Sequence, residues 1–326
     1  MLVIIVPIIF LGCHTSNNKF YITSKATENL NDELSPIAEV QQMFCKGLDS
    51  IYITDNLSNI SLFVANKFNK TVGIKGKGPG EYYRVTSFYV NSDTLFILDR
   101  SLSKIIWYNI KTNKFIGEIV NNKLIEFRSF VCINGIFYLF YTEYSMLTNL
   151  VKPIIYTLAP KGKLDPLQLH FKDLDIVASI APLSIASPIE TKKIIIYFVL
   201  PLCDRVWMYN IKTKEITSFK IKLDVPKGNE LRSISNANEL FSLVKNKIEF
   251  VFGLYTLDKY IAIVSKQGAD NFIKYYSYSG NYIGKLVSNL PIFNVTAKNF
   301  SVLGLNSTKE SHYPYFIKKE SYSLRK

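Results

Sequence analysis

The chain has 326 residues, of which 14 % are aromatic and 20 % are charged, and its formal net charge is +13. This length is enough for one large all-β domain, the low charged fraction excludes a disordered chain, and the many Phe and Tyr residues favour strands. The positive excess attracts anions, but the lysines are scattered through turns without a dense basic cluster, so nucleic acid is not expected as a partner.

The N-terminus carries a short apolar run, Leu2 to Leu11, which is too short to span a bilayer as a helix and is typical of a signal-peptide core. The run ends in Phe10-Leu-Gly-Cys13, which resembles a bacterial lipobox, where a small residue precedes a lipidated Cys. No Lys or Arg precedes the run, and Phe10 and Leu11 are bulkier than that pattern, so a plain signal peptide is the alternative. We predict a signal peptide over residues 1–13 with lipid attachment at Cys13.

A polar segment over residues 14–36 follows, and we interpret it as a tether with a possible closing strand at Phe20 to Thr23. Repeats occupy the rest of the chain, residues 37–326. The segment Tyr108 to Phe115 recurs at Tyr209 to Ile216, about two repeats of roughly 50 residues later. Weaker copies begin at Tyr156, Tyr276 and Phe63. Each copy has the pattern strand, polar turn, strand, which predicts a β-hairpin.

A second pattern precedes two of these copies: a strand that ends in Asp55 or Asp99, then a short polar turn. Together the patterns predict about four strands in each unit, and a terminal unit at Phe300 to Ile317 brings the count to six. Four-stranded units with this period are typical of propeller blades. The fold class predicted is therefore all-β, a six-bladed β-propeller of four-stranded blades. Asn236 to Ile248 has near-helical apolar spacing and predicts a short helix or an ordered insertion.

The segment Gly76-Lys-Gly-Pro-Gly-Glu-Tyr82 joins the first two clear blades. It resembles the Gly-Arg/Lys-Gly-Pro-Gly-Glu-Tyr/Phe loop of the six-bladed NHL- and TolB-like propeller lipoproteins common in Bacteroides-type bacteria, and the likeness extends over about residues 40 to 290. The resemblance implies a propeller in the cell envelope but no settled activity. His14 to Asn18 lacks the acidic export signal that some of those lipoproteins carry, so an outer-membrane lipoprotein facing the periplasm is expected.

The same loop invites comparison with a phosphate-binding loop, but Pro79 stands where that motif needs Lys, and no helix is predicted to follow. We interpret the loop as structural, with Glu81 accepting hydrogen bonds from loop amides or pairing with Arg84. The residues assigned to this structural inter-blade loop are Gly76, Gly78, Pro79, Gly80 and Glu81.

Asp55 and Asp99 could serve as metal ligands or general bases, but their equivalent positions at strand ends favour structural turns. The histidines are His14, His170 and His312, and a site using all three would need the tether residue. Tyr82, Tyr83, Tyr275, Tyr276, Trp107 and Trp207 could stack on sugars, although packing between blades is favoured. Cys45, Cys132 and Cys203 form no CxxC pair and suit buried apolar positions.

The sequence thus predicts a lipid-anchored envelope propeller that acts as a non-catalytic binding or scaffold module for a peptide, an anionic glycan or a protein, with no cofactor and no metal. The alternative is a metal-assisted hydrolase or lyase with its site at the axial mouth of the propeller. Convergence of acidic and amide side chains from at least three blades on the axis would favour that alternative.

Overall fold

In a computed structural model of the chain, the elements described are β-strands and one 3₁₀ helix at Asn122–Glu126. The structure describes residues 21–29, 40–46, 50–64, 67–145, 150–167, 169, 189–224, 242, 248–288, 292–295, 299–305 and 315–325. In those residues no helix is long and apolar enough to cross a membrane.

Five sheets each contain four strands that are consecutive in the chain and pair antiparallel in chain order. The first holds β2 (Val40–Lys46), β3 (Ser50–Asp55), β4 (Ile60–Val64) and β5 (Lys67–Thr71). The second holds β6 (Ser87–Asn91), β7 (Thr94–Asp99), β8 (Lys104–Asn109) and β9 (Lys114–Val120). The third holds β10 (Ser129–Ile133), β11 (Ile136–Ser145), β12 (Leu150–Leu158) and β13 (Leu164–Pro166).

The fourth sheet holds β14 (Ile189–Lys192), β15 (Ile195–Val199), β16 (Arg205–Asn210) and β17 (Ile216–Lys220). The fifth holds β18 (Phe250–Thr256), β19 (Tyr260–Gln267), β20 (Asp270–Ser277) and β21 (Tyr282–Ser288). The last sheet has the order β1-β24-β23-β22, from β1 (Tyr21–Asn29), β22 (Ile292–Val295), β23 (Asn299–Leu305) and β24 (Tyr315–Arg325). In it β1 pairs antiparallel with β24, so both ends of the chain share one sheet.

The blade count predicted from the repeats needs a correction. Five blades are formed by consecutive strands, whereas the sheet of β1 and β22–β24 is assembled from both ends and does not repeat that plan. The predicted fold class, a six-bladed β-propeller of four-stranded blades, is therefore wrong in its blade count, because five blades follow that plan. The structure is an all-β propeller with four-stranded blades. The physical reason for the difference is that a strand from one end of the chain covers a sheet edge that the other end would leave unpaired.

The first strands of neighbouring sheets contact one another in the order β2, β6, β10, β14, β18, β22 and back to β2. They therefore surround the axis. The inner strands are apolar on both faces, as in Ile51 to Ile53 and Ile195 to Val199, because each blade packs against a neighbour on either side. Four clusters fill the spaces between consecutive blades, and a fifth packs β22 against the fifth blade. The fold thus places first strands at the axis and last strands at the rim.

Candidate functional site

The GKGPGEY loop lies between β5 and β6 and connects the first two blades. Its backbone folds back on itself, because Gly76 N–H donates to Tyr82 O at 2.8 Å and Tyr82 N–H donates to Ile74 O at 2.9 Å. Gly73 and Gly80 have φ of 82° and 72°, a left-handed conformation that glycine adopts without strain. No helix follows the loop, since the next element is β6.

The loop is fastened to the outer strands of the second blade. Lys104 Nζ on β8 donates to Gly78 O at 3.1 Å and forms an ion pair at 3.1 Å with Glu118 on β9. Glu118 also accepts from Gly80 N at 3.2 Å, while Glu81 Oε2 accepts from Gly78 N at 2.9 Å. Two carboxylates and one ammonium therefore hold the loop backbone, which supports a structural role for Gly76 to Glu81.

Two buried tyrosines fill the space beneath the loop. The Tyr82 and Tyr108 rings meet edge to face with centroids 6.3 Å apart, and both side chains are fully buried. Tyr108 Oη donates to Gly80 O at 2.6 Å, and Tyr82 Oη donates to Val72 O at 3.2 Å. Burial raises the pKa of Tyr108 to about 12, so its hydroxyl stays protonated and donates across the physiological range.

Replacing Gly73 with alanine is expected to lower the free energy of unfolding by about 2 kcal/mol, because the left-handed backbone disfavours a Cβ and the interior lacks room for one. A Cβ at Gly73 would lie 2.8 Å from Tyr82 Cε1 and 2.9 Å from Tyr108 Cε2. Urea unfolding measures the change. Gly284→Ala is the matched control, because nothing lies within 4 Å of a Cβ there. Equal stability of the two variants would contradict a tightly packed loop.

Asp99 is fully buried and organises the entry to the second blade. Its Oδ2 accepts from the amides of Tyr83 at 2.6 Å and Arg84 at 2.9 Å, and its Oδ1 accepts from Ser101 Oγ at 2.6 Å and Leu102 N at 3.1 Å. One carboxylate thus joins the loop before β6 to the turn after β7.

Asp55 ends β3 at the equivalent position of the first blade, where Oδ1 accepts from Asn59 N at 2.9 Å and Oδ2 accepts from Asn59 Nδ2 at 3.2 Å. The contacts of Asp55 and Asp99 are those of residues that close a turn.

The tryptophans pack inside the propeller. Trp207 is buried and stacks on Phe198 with centroids 5.6 Å apart and an interplanar angle of 15°. The Trp107 ring centroid lies 6.1 Å from that of Phe96 in the same blade and 5.8 Å from that of Phe137 in the adjacent blade. Of the tyrosines considered for sugar stacking, Tyr82, Tyr275 and Tyr276 are buried and Tyr83 is exposed. Cys132 is also buried, whereas Cys203 is half-buried.

Polar side chains from three blades meet at the axis around Glu190, and we call Tyr89, Glu190, Thr191 and Thr256 the axial cluster. Tyr89 Oη on β6 lies 3.1 Å from Thr191 Oγ1 on β14, although β10 stands between these strands in the ring, so the hydroxyls meet at the axis. Thr256 Oγ1 on β18 donates to Thr191 O at 3.0 Å. Glu190 Oε1 accepts from Thr191 N at 2.9 Å. The axial cluster therefore combines hydroxyl groups with a single carboxyl.

Lys192 lies at the end of β14, beside the axial cluster, and its ammonium is already bound. It donates to Leu257 O at 2.7 Å, Asp258 O at 2.5 Å and Tyr278 Oη at 2.9 Å. Its Nζ also lies 4.2 Å from the centroid of the Tyr278 ring. Three hydrogen bonds use the three donors of an ammonium, so Lys192 fastens β14 to the fifth blade and leaves the axial cluster without a free cation from this residue.

Burial raises the pKa of Glu190 to about 7, an effect that its hydrogen bond from the Thr191 amide partly opposes. Because the carboxyl binds its proton more tightly in the folded chain, its contribution to stability is fully present below the unfolded pKa and is lost as the pH rises towards 7. We expect Glu190→Gln to be more stable than wild type by about 1 kcal/mol at pH 8, with the gain vanishing at pH 4. Thermal unfolding between pH 4 and pH 8 measures this difference in stability, and Glu215→Gln, at an exposed residue, is the control. A pH-independent difference would contradict the raised pKa.

The described residues can be compared with the alternative prediction, a metal-assisted hydrolase or lyase with its site at the axial mouth. In that part of the chain no three His, Cys, Asp or Glu side chains are placed to hold a metal ion. The alternative required acidic and amide side chains from at least three blades at the axis, whereas the axial cluster draws on three blades but holds one carboxyl and no amide side chain. Such a set can donate and accept hydrogen bonds, whereas paired carboxylates for acid and base catalysis are not found in it.

Several sequence predictions fall outside the described residues. They concern the lipid attachment at Cys13, the start of the closing strand at Phe20, the histidines, and nearly all of the insertion at Asn236 to Ile248. Of the insertion, the structure describes only the exposed Ser242 and the buried Ile248.

Sequence reasoning missed Glu190, and it considered Arg84 only as a partner of Glu81 and not together with Arg100 and Arg128. Glu190 lies in the short segment Ile189-Glu-Thr-Lys192, which has no recognisable motif. The sequence shows there only an acidic residue shortly before an apolar strand. The three arginines are far apart in the chain, and the positive charge of the sequence was expected to be scattered over the surface. Arginine is rare in this chain, and these residues are three of its six arginines.

Comparisons with known proteins agree with the architecture. A family model described as "6-bladed beta-propeller" matches residues 32–276. The crystal structure of a "putative exported protein" from Bacteroides fragilis NCTC 9343 has a TM-score of 0.63 at 13 % identity, covering 94 % of this chain and 96 % of that chain. Regucalcin, a calcium-binding protein from Agrobacterium tumefaciens str. C58, has a TM-score of 0.50 at 11 % identity, covering 92 % and 96 %. At such identities the likeness shows the fold alone. No curated protein matches the sequence significantly.

Proposed function

We propose that this chain, which belongs to the family described as 6-bladed beta-propeller, is a lipid-anchored binding module of the bacterial cell envelope. It presents a rigid β disc whose loops and axial mouth bind a peptide, a glycan or a protein without transforming it. The finer likeness to NHL- and TolB-like lipoproteins depends on the GKGPGEY segment and forms part of the same proposal.

The axial cluster is the observation that carries the binding function. Hydroxyls from Tyr89, Thr191 and Thr256 and the carboxyl of Glu190 lie where three first strands meet. A site of this kind offers both donors and acceptors, and the raised pKa of Glu190 lets its carboxyl donate below about pH 7 and accept above it. Ligands rich in hydroxyl or amide groups, such as saccharides and peptides, match this chemistry.

The envelope location is supported from two sides. The apolar run Leu2 to Leu11 and the Cys13 that follows it have the form of a lipoprotein signal peptide. The structural neighbour from Bacteroides fragilis is named as an exported protein, which is consistent with this location. We propose an outer-membrane lipoprotein that faces the periplasm, because residues 14–18 lack acidic side chains.

Binding is tested with the full-length chain in detergent on an array of saccharides and short peptides from bacterial envelopes. We expect wild type to retain a saccharide or peptide, Glu190→Gln to retain it at least tenfold more weakly above pH 7, and Glu215→Gln to match wild type. Mass spectrometry of the retained probe is expected to find it chemically unchanged. Retention that does not depend on Glu190, or conversion of the probe into a product, would contradict the proposal.

A further inference from the structure

A group of arginines lies at the end of the second and third blades where their first strands begin. Arg84 precedes β6, Arg100 follows β7, and Arg128 precedes β10. Asp99 brings the first two together, because its carboxylate accepts the Arg84 amide at 2.9 Å and it is the residue before Arg100. Three separate segments therefore deliver arginines to one region of the surface.

Arg100 and Arg128 are held near each other by the 3₁₀ helix between the second and third blades. Arg100 Nε donates to Ile125 O of that helix at 2.5 Å, and Arg128 follows the helix by two residues. The helix is itself fixed, since the side chain of Asn121 caps it by accepting from Lys123 N. Arg100 and Arg128 are both half-buried, and burial together with the neighbouring Arg128 charge lowers the pKa of Arg100.

These guanidinium groups have no acidic partner in the described part of the chain. There, no carboxylate oxygen lies within 4.0 Å of a guanidinium nitrogen of Arg84, Arg100 or Arg128. The nearest acid in sequence, Asp99, already accepts four hydrogen bonds from the backbone and Ser101, and Glu126 is exposed. Half-buried like charges without a counter-charge repel each other, and a bound anion removes that cost.

The adjoining loop adds a cation and an aromatic surface. Lys77 Nζ lies 4.6 Å from the centroid of the Tyr83 ring, and Tyr83 is 44 % exposed. The Tyr83 amide is bound to Asp99 next to that of Arg84, so this pair borders the arginines. Arginine binds carboxylate and phosphate groups through two parallel N–H groups, which lysine cannot do. A phosphate carries more charge and more acceptor oxygens than a carboxylate, so it can bind several guanidinium groups at once.

We propose that Arg84, Arg100 and Arg128 form a binding site for the phosphate group of a ligand, separate from the axial cluster. The phosphate belongs either to a soluble phosphorylated compound or to a lipid headgroup at the membrane surface. The site requires no helix terminus and no metal ion, because the guanidinium groups supply both the charge and the hydrogen-bond donors.

The test uses full-length chains that all carry Cys13→Ala, so that no lipid anchor contributes to membrane binding. Calorimetry with inorganic pyrophosphate forms the soluble arm. Co-sedimentation with vesicles of phosphatidylcholine alone, or of equal parts phosphatidylcholine and phosphatidylglycerol, forms the membrane arm. The variant is Arg100→Gln with Arg128→Gln. The control is Lys212→Gln with Lys220→Gln, which removes the same charge from exposed residues of the fourth blade.

We expect the parent chain and the lysine control to bind in at least one arm, and the arginine variant to bind at least tenfold more weakly in that arm. The arm that responds identifies the source of the phosphate. Arg84→Gln is also expected to weaken binding. Because the Arg84 side chain is exposed, this variant replaces the double variant in the test if the double variant unfolds. The proposal is overturned if neither probe binds or if the arginine variants bind like the parent chain. It is also overturned if the lysine control loses as much binding affinity as the arginine variants.

Discussion

Replacing Asp99 with alanine is expected to lower the free energy of unfolding by about 3 kcal/mol. The carboxylate is fully buried and accepts four hydrogen bonds, two from the amides of Tyr83 and Arg84 and two from the turn at Ser101 and Leu102. Alanine leaves these donors without their acceptor in a region that water reaches poorly. Because Arg84 belongs to the proposed phosphate site and Tyr83 borders it, pyrophosphate binding is expected to weaken when these residues lose their order.

Urea unfolding at pH 7 measures the effect, and Asp165→Ala provides the control. Asp165 forms an ion pair with Lys163 at 3.0 Å, but its side chain is half exposed, so its loss is expected to cost less than about 0.5 kcal/mol. Asp99→Asn keeps the shape but directs an amide N–H at a donor, and is expected to lie between wild type and alanine. A loss at Asp99 no larger than that at Asp165 would show that the carboxylate does not organise the blade entry.

Replacing Lys274 with methionine is expected to lower the free energy of unfolding by a similar amount, about 3 kcal/mol, since it leaves a buried carboxylate unpaired. Lys274 Nζ on β20 lies 2.6 Å from Glu249 and donates to Lys222 O at 2.5 Å. Glu249 is 2 % exposed, and it also accepts from Ser265 Oγ and from Asp224 N. Burial lowers the pKa of Lys274, and the Glu249 carboxylate opposes that shift.

The pH dependence of the Lys274→Met variant separates a lost charge from lost packing. An unpaired buried carboxylate is costly only while it is charged, so the penalty of Lys274→Met is expected to be smaller at low pH than at high pH. The double variant Glu249→Gln with Lys274→Met is expected to recover part of the stability at pH 7. Chemical unfolding of the single and double variants at pH 5 and pH 8 provides the comparison. A single variant with the same penalty at both values would refute the unpaired charge.

The repeated part of the fold could be predicted from the sequence because each blade repeats the same local pattern. The strands expected around Phe63, Tyr108, Tyr156, Tyr209 and Tyr276 are β4, β8, β12, β16 and β20, the third strand of each blade of consecutive strands. The positions of Asp55 and Asp99 at strand ends likewise follow from residues that are close in sequence. The number of equivalent blades did not follow, since the last sheet combines both ends of the chain.

The candidate sites could not be predicted because they depend on contacts between distant segments. Tyr89 and Thr191 meet only because first strands converge on the axis, and no local pattern records that they lie two blades apart. Arg100 and Arg128 likewise become neighbours through a short 3₁₀ helix that has no strong sequence signal. Local periodicity specifies a strand, whereas the partners of its polar side chains are set by the closing of the ring.

The central claim, an envelope propeller held by a lipid, is tested most directly by the fate of Cys13. Full-length wild type and Cys13→Ala are expressed in a bacterium that processes lipoproteins, the membranes are separated, and the intact mass of the mature chain is measured. We predict that wild type is in the outer-membrane fraction with a mass that begins at a lipid-modified Cys13, and that Cys13→Ala is released into the soluble envelope fraction. If Cys13→Ala remains in the membrane like wild type, or if the wild-type chain carries no lipid, the account is contradicted.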